Sequence, residues 1–166
     1  DSGDYETALD LALEAAGYTD LRAEQLRRRE AADRHKLGVG LATYVEITGF
    51  GGSEYGKVDL NSDGTVRAIT GSTPIGTGHV TTWAMLVADR LGVPLDDVEI
   101  VYGDTDVVPS GDTTGGSRSV QLAGSAMVDA SDKLCDAARQ VVASMLEASA
   151  DDVVLDRDAG NFHVAG

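Results

Sequence analysis

The chain has 166 residues, enough to bury one core, and its apolar and charged fractions are those of an ordinary globular domain. A formal net charge of -15 repels nucleic acid and anionic lipid alike, so neither is expected as a partner and any bound anion must be held by local donors. No apolar run approaches the roughly 20 residues of a membrane span, and the N-terminus lacks the pattern of a signal peptide, so a cytoplasmic protein without membrane insertion is expected.

From Tyr5 to Ala16 apolar residues recur at three and four, with Leu9, Ala12, Leu13 and Ala16 on one face and Gly17 placed to end the helix. A second helix is expected from Asp20 to about Lys36. It carries the basic run Arg27-Arg28-Arg29, read as a solvated face that offsets the acidic surface. After Gly38 the pattern changes, and Val39 to Ile47 reads as a strand. Residues 1–37 are therefore expected as a helical lead-in and 38–166 as an α+β domain.

Lys57–Leu60 and Thr65–Thr70 flank Asn61-Ser62-Asp63-Gly64 and should pair as a hairpin. Asp59, Asn61, Asp63 and Gly64 imitate the opening of a calcium loop. That loop needs a closing bidentate glutamate, and Thr70 stands in its place, so the segment is a turn. A helix over His79–Leu91 should bury Trp83, Leu86, Val87 and Leu91 before Gly92 and Pro94 end it. Val98–Tyr102 reads as a strand running into Gly103-Asp104-Thr105-Asp106, a hydrogen-bonded turn.

A Gly/Ser/Thr-rich loop from Asp104 to Ser119 leads into a long helix, with Met127, Leu134, Val141 and Ala148 at a seven-residue spacing and many alanines for close packing on the sheet. Val153–Leu155 and Phe162–Val164 should form a terminal hairpin. The fold expected is α+β: two layers, a mixed β-sheet with hairpins, and a long C-terminal helix packed on one face. The single cysteine, Cys135, falls inside the helical pattern and is expected to be a small buried side chain. The chain begins at Asp1 without an initiator methionine and ends on strand-like residues, so it is expected to be part of something longer.

Two clusters carry chemistry. Gly76-Thr77-Gly78-His79-Val80-Thr81-Thr82 lies between a strand and a helix, and Gly115-Gly116-Ser117-Arg118-Ser119 precedes the long helix. Free main-chain N–H groups at a helix start hold phosphate without a lysine, and glycine lets the ligand approach closely. Two such sites point to a large, multiply anionic ligand. Arg118 adds a planar fork suited to phosphate oxygens, and His79 sits where it could donate to a ligand. His35, His79 and His163 lack the spacing of a metal site, no nucleophile elbow surrounds any serine, and no Walker lysine follows the glycines; neither catalytic nor metal residues are assigned.

At these residues the chain resembles the molybdopterin-binding domain of the xanthine dehydrogenase and aldehyde oxidase family, and within it the large subunits of carbon monoxide dehydrogenase-like members. The resemblance runs along nearly the whole chain. It rests on Gly40 to Gly49, Gly76 to Thr82, Val87 to Pro94, Gly103 to Asp106 and Gly116 to Ser119. It implies a part of a molybdenum hydroxylase that binds the molybdenum cofactor, as molybdopterin or its cytosine dinucleotide form. Gly76, Thr77, Gly78, His79 and Thr81 would line the pterin and its phosphates, and Gly116, Ser117, Arg118 and Ser119 would complete the site. It further implies partners: the rest of the large subunit, an iron-sulfur subunit and a flavin (FAD) subunit.

Relatives usually carry glutamine between the two cradle glycines, where this chain has the shorter Thr77. The family's general-base glutamate and upstream active-site loop have no counterpart here, so the chain alone is expected to be inactive. Two alternatives belong to other classes. One is an independent dinucleotide-binding module, against which Thr81 replaces the expected third glycine. The other is a non-catalytic acidic scaffold whose glycine loops serve only packing.

Overall fold

The computed structural model describes residues 3–165, which fall into two compact units divided between Val45 and Glu46. In the first unit, α1 spans Tyr5–Ala15 and is capped by Asp4, whose carboxylate accepts from the Thr7 N–H at 3.1 Å and the Thr7 hydroxyl at 2.7 Å. Gly17, at φ 61°, breaks the chain between α1 and α2, Tyr18–Glu30. Helix α2 ends earlier than the expected Lys36. Ala32 turns left-handed at φ 50°, and the N–H groups of Ala32 and Asp33 donate back to the carbonyls of Arg29 and Arg28, which closes the last turn. Within the basic run, Arg27 and Arg28 both donate to Glu24, whose carboxyl is thereby pulled down to about 2. These pairs are intrahelical, the Arg27 pair exposed and the Arg28 pair half-buried.

The strand expected over Val39–Ile47 does not form; its residues have no regular structure. Leu41, Tyr44, Val45 and Ile47 are all exposed. A strand is stable only when a neighbour takes its main-chain bonds, and no described residue pairs with this one.

In the second unit, β1 (Gly56–Leu60) and β2 (Val66–Thr70) pair antiparallel in the expected hairpin, with Gly56 opposite Thr70 and Leu60 opposite Val66. Its turn is held by Asp63, which accepts from both the N–H and the hydroxyl of Thr65, and by Gly64 at φ 90°. Helix α3 (His79–Leu91) then carries the chain to β3 (Val98–Val101), which lies parallel to β2. The sheet is therefore mixed, in the order β1-β2-β3. A βαβ crossover connects its last two strands.

A π-wound stretch, Ser119–Gly124, runs directly into α4, Ser125–Met145. The core joins Val58, Val66 and Ala68 of the sheet to Trp83 and Val87 of α3 and to Ala123 and Met127, so α3 and α4 form one layer on one face. Along α4 the seven-residue spacing fails after Leu134: Val141 is 60% exposed, Ala148 lies beyond the helix, and the buried side chains are Met127, Ser131, Cys135 and Ala143. An α-helix drifts by roughly 20° per heptad against a strict seven-residue repeat, which rotates Val141 off the face.

Strands β4 (Val153–Asp156) and β5 (Asn161–Val164) form the terminal hairpin. Gly92, at φ 67°, ends α3 against Arg157, where an added Cβ would come within 2.7 Å of the arginine carbonyl oxygen. Among the described residues no helix is long and apolar enough to cross a membrane.

Gly56 sets the distance between sheet and helix. A Cβ there would lie 2.7 Å from the Ala126 carbonyl carbon and 2.8 Å from its Cβ, inside any real contact distance. Gly56→Ala should therefore lower the unfolding free energy by about 1–3 kcal/mol, the cost of overpacking a tight contact. Urea denaturation reads this directly, and an unchanged midpoint would show that α4 can shift freely.

Candidate functional site

The site is built where β2 leaves the sheet and α3 begins. Gly76 and Gly78 take φ values of 91° and 79°, which only glycine adopts without strain. Gly78 is the N-cap of α3 and has no side-chain cap; the first intrahelical bond runs from Thr82 N–H to the Gly78 carbonyl at 3.2 Å. The preceding N–H groups of the first turn, His79 to Thr81, accordingly face forward from the helix, with the positive end of its dipole. A Cβ built on Gly76 or Gly78 would meet nothing within 4 Å, so the space above them is open.

His79 is held on two sides. Its Nδ1 lies 2.9 Å from the Thr77 hydroxyl, and its ring stacks on the Trp83 indole with centroids 5.3 Å apart at 27°. The indole is fully buried, and its Nε1–H donates to the Ser119 carbonyl at 3.2 Å. His79, Trp83 and Ser119 thus form a continuous line from the first glycine cluster to the second. Thr81 stands exposed on the first turn.

The second cluster turns sharply. Gly116 and Ser117 are consecutive left-handed residues at φ 57° and 50°, and for serine that conformation costs about 1–2 kcal/mol. Ser119, buried, donates its hydroxyl to Thr114 at 2.9 Å, and the Thr114 hydroxyl donates to the Thr73 carbonyl at 2.8 Å. Thr73 and Thr113 form a parallel bridge, so the loop is tied to the end of β2. The expected helix start after Ser119 is π-wound, a widened turn that recurs at functional sites.

Arg118 is only 7% exposed. One terminal nitrogen donates to Asp112 Oδ2 at 2.5 Å, while Nε–H is buried with no acceptor. Asp112 is held below the usual carboxylate range, first by the Thr113 N–H and then by the Arg118 guanidinium.

A third segment joins these two. The Gly49 N–H donates to the Ser117 carbonyl at 3.2 Å, and Gln121 Nε2–H donates to the Thr48 hydroxyl at 3.0 Å. Gly49 and Gly51 are left-handed, and a Cβ on Gly51 would stand 3.5 Å from the Arg118 guanidinium. Sequence reasoning passed over Asp112, Thr114 and Gln121 as site-building residues, and it treated Trp83 as core alone. The run Gly49-Phe50-Gly51-Gly52 was the available signal, since it repeats the small-residue composition of the other two loops.

The remaining candidates do not join these hydrogen bonds. Asp104 Oδ1 accepts from the Asp106 N–H at 2.9 Å and the pair makes a turn, and no described group of His, Cys, Asp or Glu could hold a metal ion. Cys135 packs behind α3, and burial pushes its thiol above its ordinary value, which suits a structural side chain.

A family model described as a molybdopterin cofactor-binding domain matches residues 11–165. The carbon monoxide dehydrogenase large chain of Afipia carboxidovorans is 36% identical over 181 residues, covering 100% of this chain and 22% of its own length. Subunit gamma of the 6-hydroxypseudooxynicotine dehydrogenase complex of Paenarthrobacter nicotinovorans is 38% identical over 100% of this chain and 20% of its own length. Among solved structures, a Cu,Mo-CO dehydrogenase in its carbon monoxide reduced state superposes with a TM-score of 0.69 at 36% identity, covering 100% of this chain and 22% of that one. Quinoline 2-oxidoreductase from Pseudomonas putida 86 superposes with a TM-score of 0.65 at 29% identity, covering 99% of this chain and 22% of that one. The chain thus spans about a fifth of the length of these relatives. Matched along nearly its whole length, it belongs to the molybdopterin cofactor-binding domain family of carbon monoxide dehydrogenase and xanthine dehydrogenase large subunits.

Proposed function

We propose that this chain grips the anionic end of the molybdenum cofactor for a molybdenum hydroxylase large subunit in the cytoplasm, with iron-sulfur and flavin subunits as partners. The observation that carries this reading is the buried Arg118, whose Nε–H has no acceptor. A buried guanidinium N–H left unpaired costs stability unless a ligand supplies the acceptor. The open faces of Gly76 and Gly78 add main-chain donors at the positive end of α3.

The residues fit the group. Gly76, Thr77, Gly78, His79 and Thr81 would present N–H and hydroxyl donors to the pterin phosphates. Gly116, Ser117, Arg118 and Ser119 would hold its other side. Arg118 would neutralise phosphate charge in a protein whose net charge is otherwise strongly negative. When bound, the cofactor supplies the oxidation of the substrate, and this chain supplies its seat.

The glycine loops are also more than packing devices. Gly56 and Gly92 are crowded by protein where a Cβ would go, whereas Gly76 and Gly78 are not. That contrast favours ligand access over a purely structural scaffold. The test is the molybdenum and pterin content of the chain after expression in a host that makes the cofactor. The double variant His79→Ala with Arg118→Ala should lose most of it, and wild-type loading would overturn the proposal.

A further inference from the structure

The cofactor seat depends on an arginine that is anchored from one side. Arg118 is enclosed, and its guanidinium is planar, so fixing one terminal nitrogen fixes the directions in which the other N–H groups point. That nitrogen is fixed by Asp112 Oδ2 at 2.5 Å. Asp112 is itself restrained: its Oδ1 accepts from the Thr113 N–H at 2.7 Å, and Thr113 is bridged to Thr73, three residues beyond β2. Sheet, loop, carboxylate and guanidinium are therefore one connected support.

We propose that Asp112 is a positioning residue of the anion site, holding the Arg118 guanidinium so that its remaining N–H groups face the bound phosphate. The inference rests on the reading of the site given above. A carboxylate beside a phosphate also repels it, and the two effects have opposite signs. The Asp112 side chain is 58% exposed, so its repulsion is screened by water and salt. The Arg118 side chain it orients is 9% exposed, and there the loss of a fixed direction is felt in full. Positioning therefore outweighs repulsion.

Asparagine separates this role from a structural one. Asp112→Asn keeps an oxygen for the Thr113 N–H and replaces the charged acceptor of the arginine with an amide NH2 that cannot accept from it, whereas Asp112→Ala removes both oxygens. The chain is titrated with inorganic pyrophosphate by calorimetry, as wild type and with each substitution, alone and combined with Arg118→Ala, and thermal melts check that each variant is folded. Both Asp112 variants should bind about tenfold more weakly, the scale on which losing an outer orienting partner weakens the group it holds. Neither should weaken binding further once Arg118 is gone.

Wild-type binding by Asp112→Asn would confine the carboxylate to its turn and overturn the proposal. Tighter binding would make Asp112 a competitor of the ligand, and a further loss in the Arg118→Ala background would show that it does not act through the arginine. If Asp112→Ala fails to fold, Asp112→Asn decides alone. Failure of the wild-type chain to bind pyrophosphate would instead overturn the cofactor-site reading, and this inference with it.

Discussion

Arg118→Ala is expected to weaken cofactor binding by roughly ten- to hundredfold while leaving the unliganded fold nearly as stable as before. The binding loss follows from a charge-assisted bond to a buried group, worth about 1.5–3 kcal/mol, which is one to two decades in affinity. The small stability change follows from what the arginine does in the unliganded chain. Its ion pair with Asp112 is favourable, but its buried Nε–H has no acceptor, and enclosing the charge costs solvation. Removing the side chain removes the gain and both costs together.

Arg118→Lys should recover little of the binding. A point charge cannot hold Asp112 and also present a second donor in a fixed direction. Molybdenum content at limiting cofactor and urea denaturation of the same preparations measure the two halves. A variant that unfolds early yet loads normally once folded would show that Arg118 is a core residue and not a ligand contact.

Much of this arrangement is legible in the residues because local chemistry decides it. Asn61 to Gly64 can only be a tight turn, and the runs on either side have nowhere to go but against each other. Gly78 and Gly92, both left-handed, bound α3 at the positions where glycine is needed. The two glycine clusters were legible as left-handed turns ahead of helices for the same reason. Their closeness was not readable, because it depends on the Trp83–Ser119 bond between residues 36 apart in sequence.

Two other features are not decided by local composition either. Val39–Ile47 has the composition of a strand and remains unpaired, since propensity supplies no neighbour. Asp112 has nothing in its sequence surroundings to distinguish it from other loop aspartates, and only folding brings it to Arg118. The stripe of α4 failed for a geometric reason, the drift of a straight helix against a seven-residue repeat.

The second large effect concerns Trp83, which joins the fold to the site. Trp83→Ala should lower the unfolding free energy by about 3–5 kcal/mol, because the indole is fully buried among Val58, Val66, Ala68, Val87, Ala123 and Met127 and so large a cavity cannot collapse. Against a typical total of roughly 5–15 kcal/mol, that leaves a marginal protein, so its loss of cofactor would say nothing specific.

Trp83→Phe is the informative change. Phenylalanine keeps most of the apolar volume and a ring for His79 to stack on, but it cannot donate to the Ser119 carbonyl, leaving that oxygen short of one donor at a cost of about 1–3 kcal/mol. If the indole N–H is what sets the second cluster beside the first, the folded phenylalanine variant should load less molybdenum than wild type. Its urea midpoint should meanwhile fall by much less than that of the alanine variant. Equal loading by folded Trp83→Phe and wild type would mean that the two clusters keep their separation without the bond. Thr114 and Thr73 would then be left as the link that holds the second loop in place.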